Sequence, residues 1–292
     1  MLDFLQAVSD GVLFGATYAL IGIGFTLVFG VMHKLNLAYA AASIGGAYAG
    51  LLVLKVVAGA PAWLVFLGAF AAGGVLGYVV YLTCFHFIPL NSPLATLMAT
   101  VGMLLLIDEI IVHVTDGMPQ AYPSAFDDVM LRAGEFSLRG DLLLVFGVAV
   151  LCMIGLMALL YRTRLGLATR AVSQQSVAAQ LCGIRVGQVN AMTFVITGLL
   201  GGIAGALIGA SVGTLSPLLT TPLTVKGLIV TVIGGLGSIP GAIVAGLLVG
   251  GLENVFQQFR GVTERDLYVM LLLFAFLVFR PGGLFTPKGG RD

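Results

Sequence analysis

Apolar and polar positions along this chain fall into long, almost uninterrupted apolar runs separated by short polar clusters. They lack the two-residue or 3.6-residue alternation of half-buried elements. The runs predict membrane elements near Gly11 to Val31, Ala40 to Val57, Trp63 to Leu82, Pro93 to Val114, Leu142 to Leu160, Val189 to Val212, Val225 to Ile233, Gly241 to Phe256 and Leu267 to Phe279. The expected fold class is therefore all-α: one polytopic transmembrane helical bundle over residues 1–292, with about eight to nine membrane elements. A β-barrel is excluded, because it would need short alternating segments, whereas Leu142 to Tyr161 is continuous.

Between the seventh and eighth runs stands Gly234-Gly235-Leu236-Gly237-Ser238-Ile239-Pro240-Gly241. Glycine must give up extra backbone freedom to enter a helix, and Pro240 lacks an N–H and clashes one turn back. The helix is thus expected to stop near Ile233 and restart about Pro240, giving a broken membrane helix near Gly234 to Gly241. Irregular backbone at membrane depth must meet protein or a water-filled cavity, so Gly234, Gly235, Gly237 and Ser238 become candidates for lining a translocation pathway. A close glycine-mediated helix crossing with no moving part is the alternative.

Composition reinforces the pattern. Of 292 residues, 59% are hydrophobic and only 9% charged, with a mean hydropathy of +1.08, which excludes an ordinary soluble domain. Small residues recur four apart at Gly11 and Gly15, Gly46 and Gly50, Gly73 and Gly77, and along Gly201, Gly205, Gly209 and Gly213, the spacing of closely packed membrane helices. The net charge of +1 implies no nucleic-acid partner, but its distribution carries orientation. Arg162, Arg164, Arg170 and Arg185 lie in an acid-free stretch, about 161–188, which the positive-inside rule assigns to the cytoplasm. The C-terminus, with Arg280, Lys288 and Arg291, follows to the same side. Met1 and the segment of about 115–141, with Asp116, Asp127, Asp128 and Glu135, then fall on the extracytoplasmic side. Met1-Leu2-Asp3-Phe4 lacks the basic start of a cleaved signal peptide, so the first run is expected to remain a span.

Candidate chemistry is sparse. Cys84, Cys152 and Cys182 are too scattered for a disulfide or zinc scheme, and His33, His86 and His113 form no ligand set, so neither a metal nor a cofactor is expected. Asp108 and Glu109 are adjacent acids near the end of the fourth run. They are expected to reach solvent at the outer interface or to line the outer mouth of a pathway. The chain has no GxxxxGK[ST], nucleophile elbow or HExxH, so ATP-driven work would fall to partners and a membrane-embedded enzyme is the weaker alternative. Beyond the arginines, Val177, Leu181 and Ile184 share a helical face, with Ala178 and Ala179 keeping its surface low and Gly183 fitting a stop. Such a helix needs a partner groove to cover it, or else lies on lipid.

Several stretches taken together resemble the permease subunits of branched-chain amino-acid ATP-binding-cassette importers, the LivH type. These are Leu35-Asn36-Leu37-Ala38; Arg162-Thr163-Arg164-Leu165-Gly166-Leu167-Ala168-Thr169-Arg170-Ala171 with Ala178, Ala179 and Gly183; the glycine-rich break; and Phe279-Arg280-Pro281-Gly282-Gly283-Leu284-Phe285. The resemblance covers nearly the whole length. It departs at Tyr39-Ala40, where the family usually has His-Gly; at Gln174, Gln175 and Ser176, which replace acids common in the coupling loop; and at Asp108, where a glutamine is the usual residue.

The resemblance implies a non-enzymatic transport subunit in a bacterial inner membrane. It would work by alternating access with a second permease, homologous or identical, two cytoplasmic ATPases and an extracytoplasmic solute-binding protein. Coupling would fall to Val177, Ala178, Ala179, Leu181, Gly183 and Ile184. Asn36, Tyr39, Asp108 and Glu109 would join the break along the pathway. Branched-chain or related amino acids are the implied cargo. Urea, amides and other small organic solutes within the same family, or a stand-alone carrier, are the alternatives.

Overall fold

The apolar runs become helices, and their order is simple. A computed structural model of the chain describes residues 2–56, 61–88, 93–123, 130–133, 136–280 and 282–285. Its helices are α1 (Leu2–Met32), α2 (Ala38–Val56), α3 (Ala62–Tyr81), α4 (Pro93–Thr115), α5 (Gly140–Arg162), α6 (Arg164–Gln174), α7 (Ser176–Leu181), α8 (Val186–Val212), α9 (Thr220–Gly234), α10 (Ile239–Arg260) and α11 (Val262–Phe279). A π-helical turn, Leu82–His86, extends α3, and a 3-10 turn, Pro217–Leu219, opens α9. Among the described residues seven segments are long and apolar enough to cross a membrane, and Ala38–Leu54 and Leu267–Phe279 are shorter apolar helices.

Small residues decide which helices meet. Gly11 faces Gly250, Gly15 faces Leu247 and Gly30 faces Gly237, so α1 and α10 run antiparallel along their lengths. A methyl group added at Gly11 would lie 2.7 Å from the Gly250 carbonyl oxygen, and one at Gly73 would lie 2.8 Å from Cα of Gly202, in the second seam, between α3 and α8. Lipid provides no hydrophobic pull between helices, so this backbone proximity supplies the dispersion contacts that hold the bundle. Of the expected small-residue faces, Gly11 and Gly15 lie in the first seam and Gly73 and Gly77 in the second, whereas Gly46 and Gly50 pack α2 on α3, Gly201 and Gly205 face α2, and Gly209 faces Tyr122. Gly213 is the exception: at φ 76° it caps the end of α8 rather than packing.

Short strands also occur, which hydropathy does not anticipate. Strand β1 (Gln120–Ala121) pairs antiparallel with β4 (Thr214–Leu215), and β2 (Met130–Ala133) pairs with β3 (Phe136–Arg139). The β1–β4 pair links the α4–α5 and α8–α9 connections at one end of the bundle, where Tyr48 Oη also donates to the Leu215 carbonyl at 2.7 Å, and β2–β3 is a hairpin within the α4–α5 connection. Backbone groups that leave a helix still need partners, and pairing supplies them.

Candidate functional site

The glycine-rich break stops α9 at Gly234 and α10 begins at Ile239, close to the expected limits. Gly235 and Gly237 adopt φ of 100° and 88°, a region that an L side chain enters only with strain, and the chain reverses there. Ser238 caps α10 by accepting from the Gly241 N–H at 3.2 Å. The break is therefore the turn of an antiparallel hairpin, level with the last turn of α1, rather than a kink halfway along a span. The turn is strapped from outside. Leu284 N–H donates to the Ile233 carbonyl at 2.8 Å and Phe285 N–H to the Gly234 carbonyl at 3.3 Å, which satisfies carbonyls that the end of α9 leaves open.

Beside the turn lies a cavity of about 470 Å³ whose wall includes Phe29, His33, Tyr161, Arg170, Ser173 and Pro240. Arg170 stands 5.0 Å from the centroid of the Tyr161 ring, a cation–π contact. This cavity joins α6 to the turn. Helix α6 was not anticipated: it is capped by Thr163, whose hydroxyl accepts from the Gly166 N–H at 3.1 Å, and it buries Gly166, Thr169 and Val172 against the bundle.

Helix α7 follows directly. Val177 is 65% exposed and Leu181 86% exposed, whereas Ala179 is only 5% exposed. The expectation that Ala179 offers a surface to a partner is thus corrected: Ala179 is turned into its own chain, and Val177, Ala178, Leu181 and Gly183 face outward. Ile184 is half-buried beyond the end of the helix, its N–H bonded to the Ala179 carbonyl at 3.1 Å, so it shares no face with Val177 and Leu181.

The remaining candidates are dispersed. Asn36 and Tyr39 are buried at 3% and 2% exposure. The Tyr39 ring packs edge-on against Phe25 at 5.1 Å and fills the space over Gly24 and Gly201, a packing position among α1, α2 and α8. Nearby, Lys34 Nζ donates to Thr96 Oγ1 at 3.1 Å, tying the α1–α2 connection to α4. Partial burial holds its pKa below the ordinary lysine value. Asp108 is half-buried, with an Oδ1 that makes no hydrogen bond among the described residues. Glu109 instead faces outward and pairs with His113 at 3.3 Å. These acids lie about two turns from the end of α4, at the end of the bundle away from the Gly234–Gly241 turn.

Sequence reading missed the most deeply buried charges among the described residues. Lys226 Nζ on α9 lies 2.7 Å from Glu253 Oε1 on α10, and Tyr18 of α1 donates to the same oxygen at 3.1 Å while lying 3.3 Å from the ammonium. The two charged side chains are 9% and 5% exposed. The available signal was one lysine and one glutamate, each alone inside an apolar run, which marks an intramembrane functional or structural pair.

Seven helices long and apolar enough to cross a membrane, among the described residues, packed along glycine seams, define a multi-pass α-helical membrane protein. The chain belongs to the family described as "branched-chain amino acid transport system / permease component", whose model matches residues 7–279. It is 31% identical to the high-affinity branched-chain amino acid transport system permease protein BraD of Pseudomonas aeruginosa, over 96% of this chain and 95% of that one. It is 29% identical to the corresponding permease protein LivH of Escherichia coli, over 97% and 96%. A solved inward-facing conformation of a metal-chelate type ABC transporter aligns with TM-score 0.53 at 16% identity, covering 94% of this chain and 85% of that chain, which supports the fold alone.

Proposed function

We propose that this chain is one of two transmembrane subunits of an ATP-binding-cassette importer for branched-chain or closely related amino acids in a bacterial inner membrane. A second permease, two cytoplasmic ATPases and an extracytoplasmic binding protein complete the assembly. Residues 1–292 act as a single permease domain, with 161–188 and the C-terminus in the cytoplasm and 115–141 outside. The observation that carries the coupling role is the outward face of α7: an apolar pair displayed among arginines at a bundle end needs a groove to cover it. Within this chain, Ala179 seats α7, Thr163 fixes the start of α6, and Arg170 and Ser173 carry α6 to the cavity at the Gly234–Gly241 turn. A push on Val177 and Leu181 is thereby delivered to the hairpin and the end of α1, and the bundle alternates between outward and inward access.

The test is Leu181→Glu. An unpaired carboxylate in a packed groove costs several kcal/mol, so ATPase copurification should fall by at least about tenfold, with ATP-dependent uptake lost and insertion unchanged. Normal uptake with retained ATPases would remove α7 as the coupling element. Transport that needs no ATPase would favour a stand-alone carrier.

A further inference from the structure

At the end of the bundle remote from the turn, about 30 Å along α1 by helical rise, lies a cavity of about 270 Å³ between α1, α10, the start of α5 and the end of α8. It is small, and its wall mixes charged groups, amides and apolar side chains. Its charges pair off with one exception. Glu253 is held by Lys226 at 2.7 Å, and Arg139 is held by Asp141 through two bonds of 3.2 and 2.6 Å. Asp10 remains: its Oδ1 is buried, and among the described residues it makes no hydrogen bond and no direct ion pair. Arg139 acts on this carboxylate electrostatically without a direct contact, and a cation seated beside the buried oxygen would stabilise its ionised form.

We infer that this cavity is a solute-binding station that recognises a primary ammonium group, with Asp10 as its counter-charge. Phe14 and Leu142 supply an apolar wall for a short aliphatic side chain. Arg139, more than half exposed, stands where a solute carboxylate would enter. Asn254 is fixed by donating to the Ala7 carbonyl at 2.9 Å, so the cavity's amide wall is rigid. The volume lies just under the range of drug-sized pockets, which suits a small zwitterion. Neutral urea or an amide brings no cation to the buried Asp10 oxygen. The inference rests on the importer reading above, within which it assigns the ammonium as the feature that this chain itself selects.

The experiment uses the full chain in lipid nanodiscs, with Cys84→Ala, Cys152→Ala and Cys182→Ala as background and Ser211→Cys as a reporter on the cavity wall. Alkylation by iodoacetamide is timed with 3-methylbutylamine, L-leucine, 4-methylpentanoate or urea present. The amine and leucine should slow labelling about tenfold or more, and the other two should not. Asp10→Asn should abolish the protection, and Asp10→Glu should retain part of it. The station is overturned if the Ser211→Cys thiol fails to react, if all four probes protect alike, or if Asp10→Asn keeps full protection. Should Asp10→Asn fail to elute as a single species, the probe series on the parent decides. ATPase copurification is measured separately. Its absence would refute the importer reading, while selective protection by ammonium compounds would still hold for the cavity.

Discussion

The buried Lys226–Glu253 pair makes the sharpest prediction. Removing one partner leaves the other as an uncompensated charge in a bundle where both side chains are nearly inaccessible, and breaking such a pair costs about 3–5 kcal/mol. Lys226→Met and Glu253→Leu should each lower the folded-to-unfolded ratio between about a hundredfold and a few thousandfold. Replacing both removes two desolvated charges together, and similar swaps range from neutral to stabilising by about 1–4 kcal/mol. The double variant should therefore be far more stable than the sum of the singles, with a coupling energy of several kcal/mol rather than the few tenths expected of independent sites. Tyr18, which donates to the same carboxylate oxygen and accepts from Lys226 Nζ, would lose one buried hydrogen bond in either single variant, and a Tyr18→Phe control bounds that contribution at about 1–3 kcal/mol. The assay is reversible unfolding of the purified chain in mixed micelles by titration with a denaturing detergent. Singles that cost under about 1 kcal/mol, or a double variant equal to their sum, would show that water reaches the pair and that the burial argument fails.

Three further outcomes follow from particular contacts. Ala179→Glu should destabilise the chain itself by several kcal/mol and reduce its yield in membranes, because Ala179 faces inward; normal expression together with ATPase loss would instead place Ala179 on the partner surface. Gly234→Ala should destabilise, since its Cβ would lie 2.5 Å from the Gly241 carbonyl carbon, whereas Gly102→Ala, with nothing within 4 Å, should be neutral or gain about 0.5–1 kcal/mol; equal thermal stability of the two variants would refute the close approach of α9 and α10. Ser238→Ala removes the cap on α10 and should cost about 1 kcal/mol, read as a lower unfolding midpoint, and an unchanged midpoint would mean that the Gly241 N–H is satisfied elsewhere.

The spans were legible because an apolar run long enough to cross a bilayer has few other uses, and the four-residue spacing of glycines marks the seams because only small residues let two backbones approach. The break was legible in position but not in depth. Glycine and proline announce that a helix ends, yet only the contact between Gly30 and Gly237 shows that it ends where α1 does. Helix α6 escaped notice because its buried side is made of Gly166, Thr169 and Val172 rather than large apolar residues. In α7, six residues give too little periodicity to fix a face, so Ile184, beyond the end of the helix, was grouped with Val177 and Leu181, and the inward turn of Ala179 was not seen. The Lys226–Glu253 pair was hidden because hydropathy averaging dilutes one charge in a window of apolar neighbours, and its partners are 27 and 208 positions apart along the chain.

These contacts divide the bundle into two working ends. At one end α6, the α9–α10 turn, the last turns of α1 and Phe285 share the wall of one cavity, and Leu284 and Phe285 bond to the end of α9. At the other end α1 and α10 close over the Asp10 cavity, and Glu253 belongs both to that cavity and to the buried pair with Lys226 of α9. Helices α9 and α10 therefore connect the two ends: the glycine turn joins them at the end that carries α6, and the ion pair fixes their register toward the other end. A buried ion pair is a poor source of net stability but a strong constraint on which side chains face each other. Within the proposed importer, a hairpin held at both ends would carry a push at α7 along its length toward the cavity at Asp10.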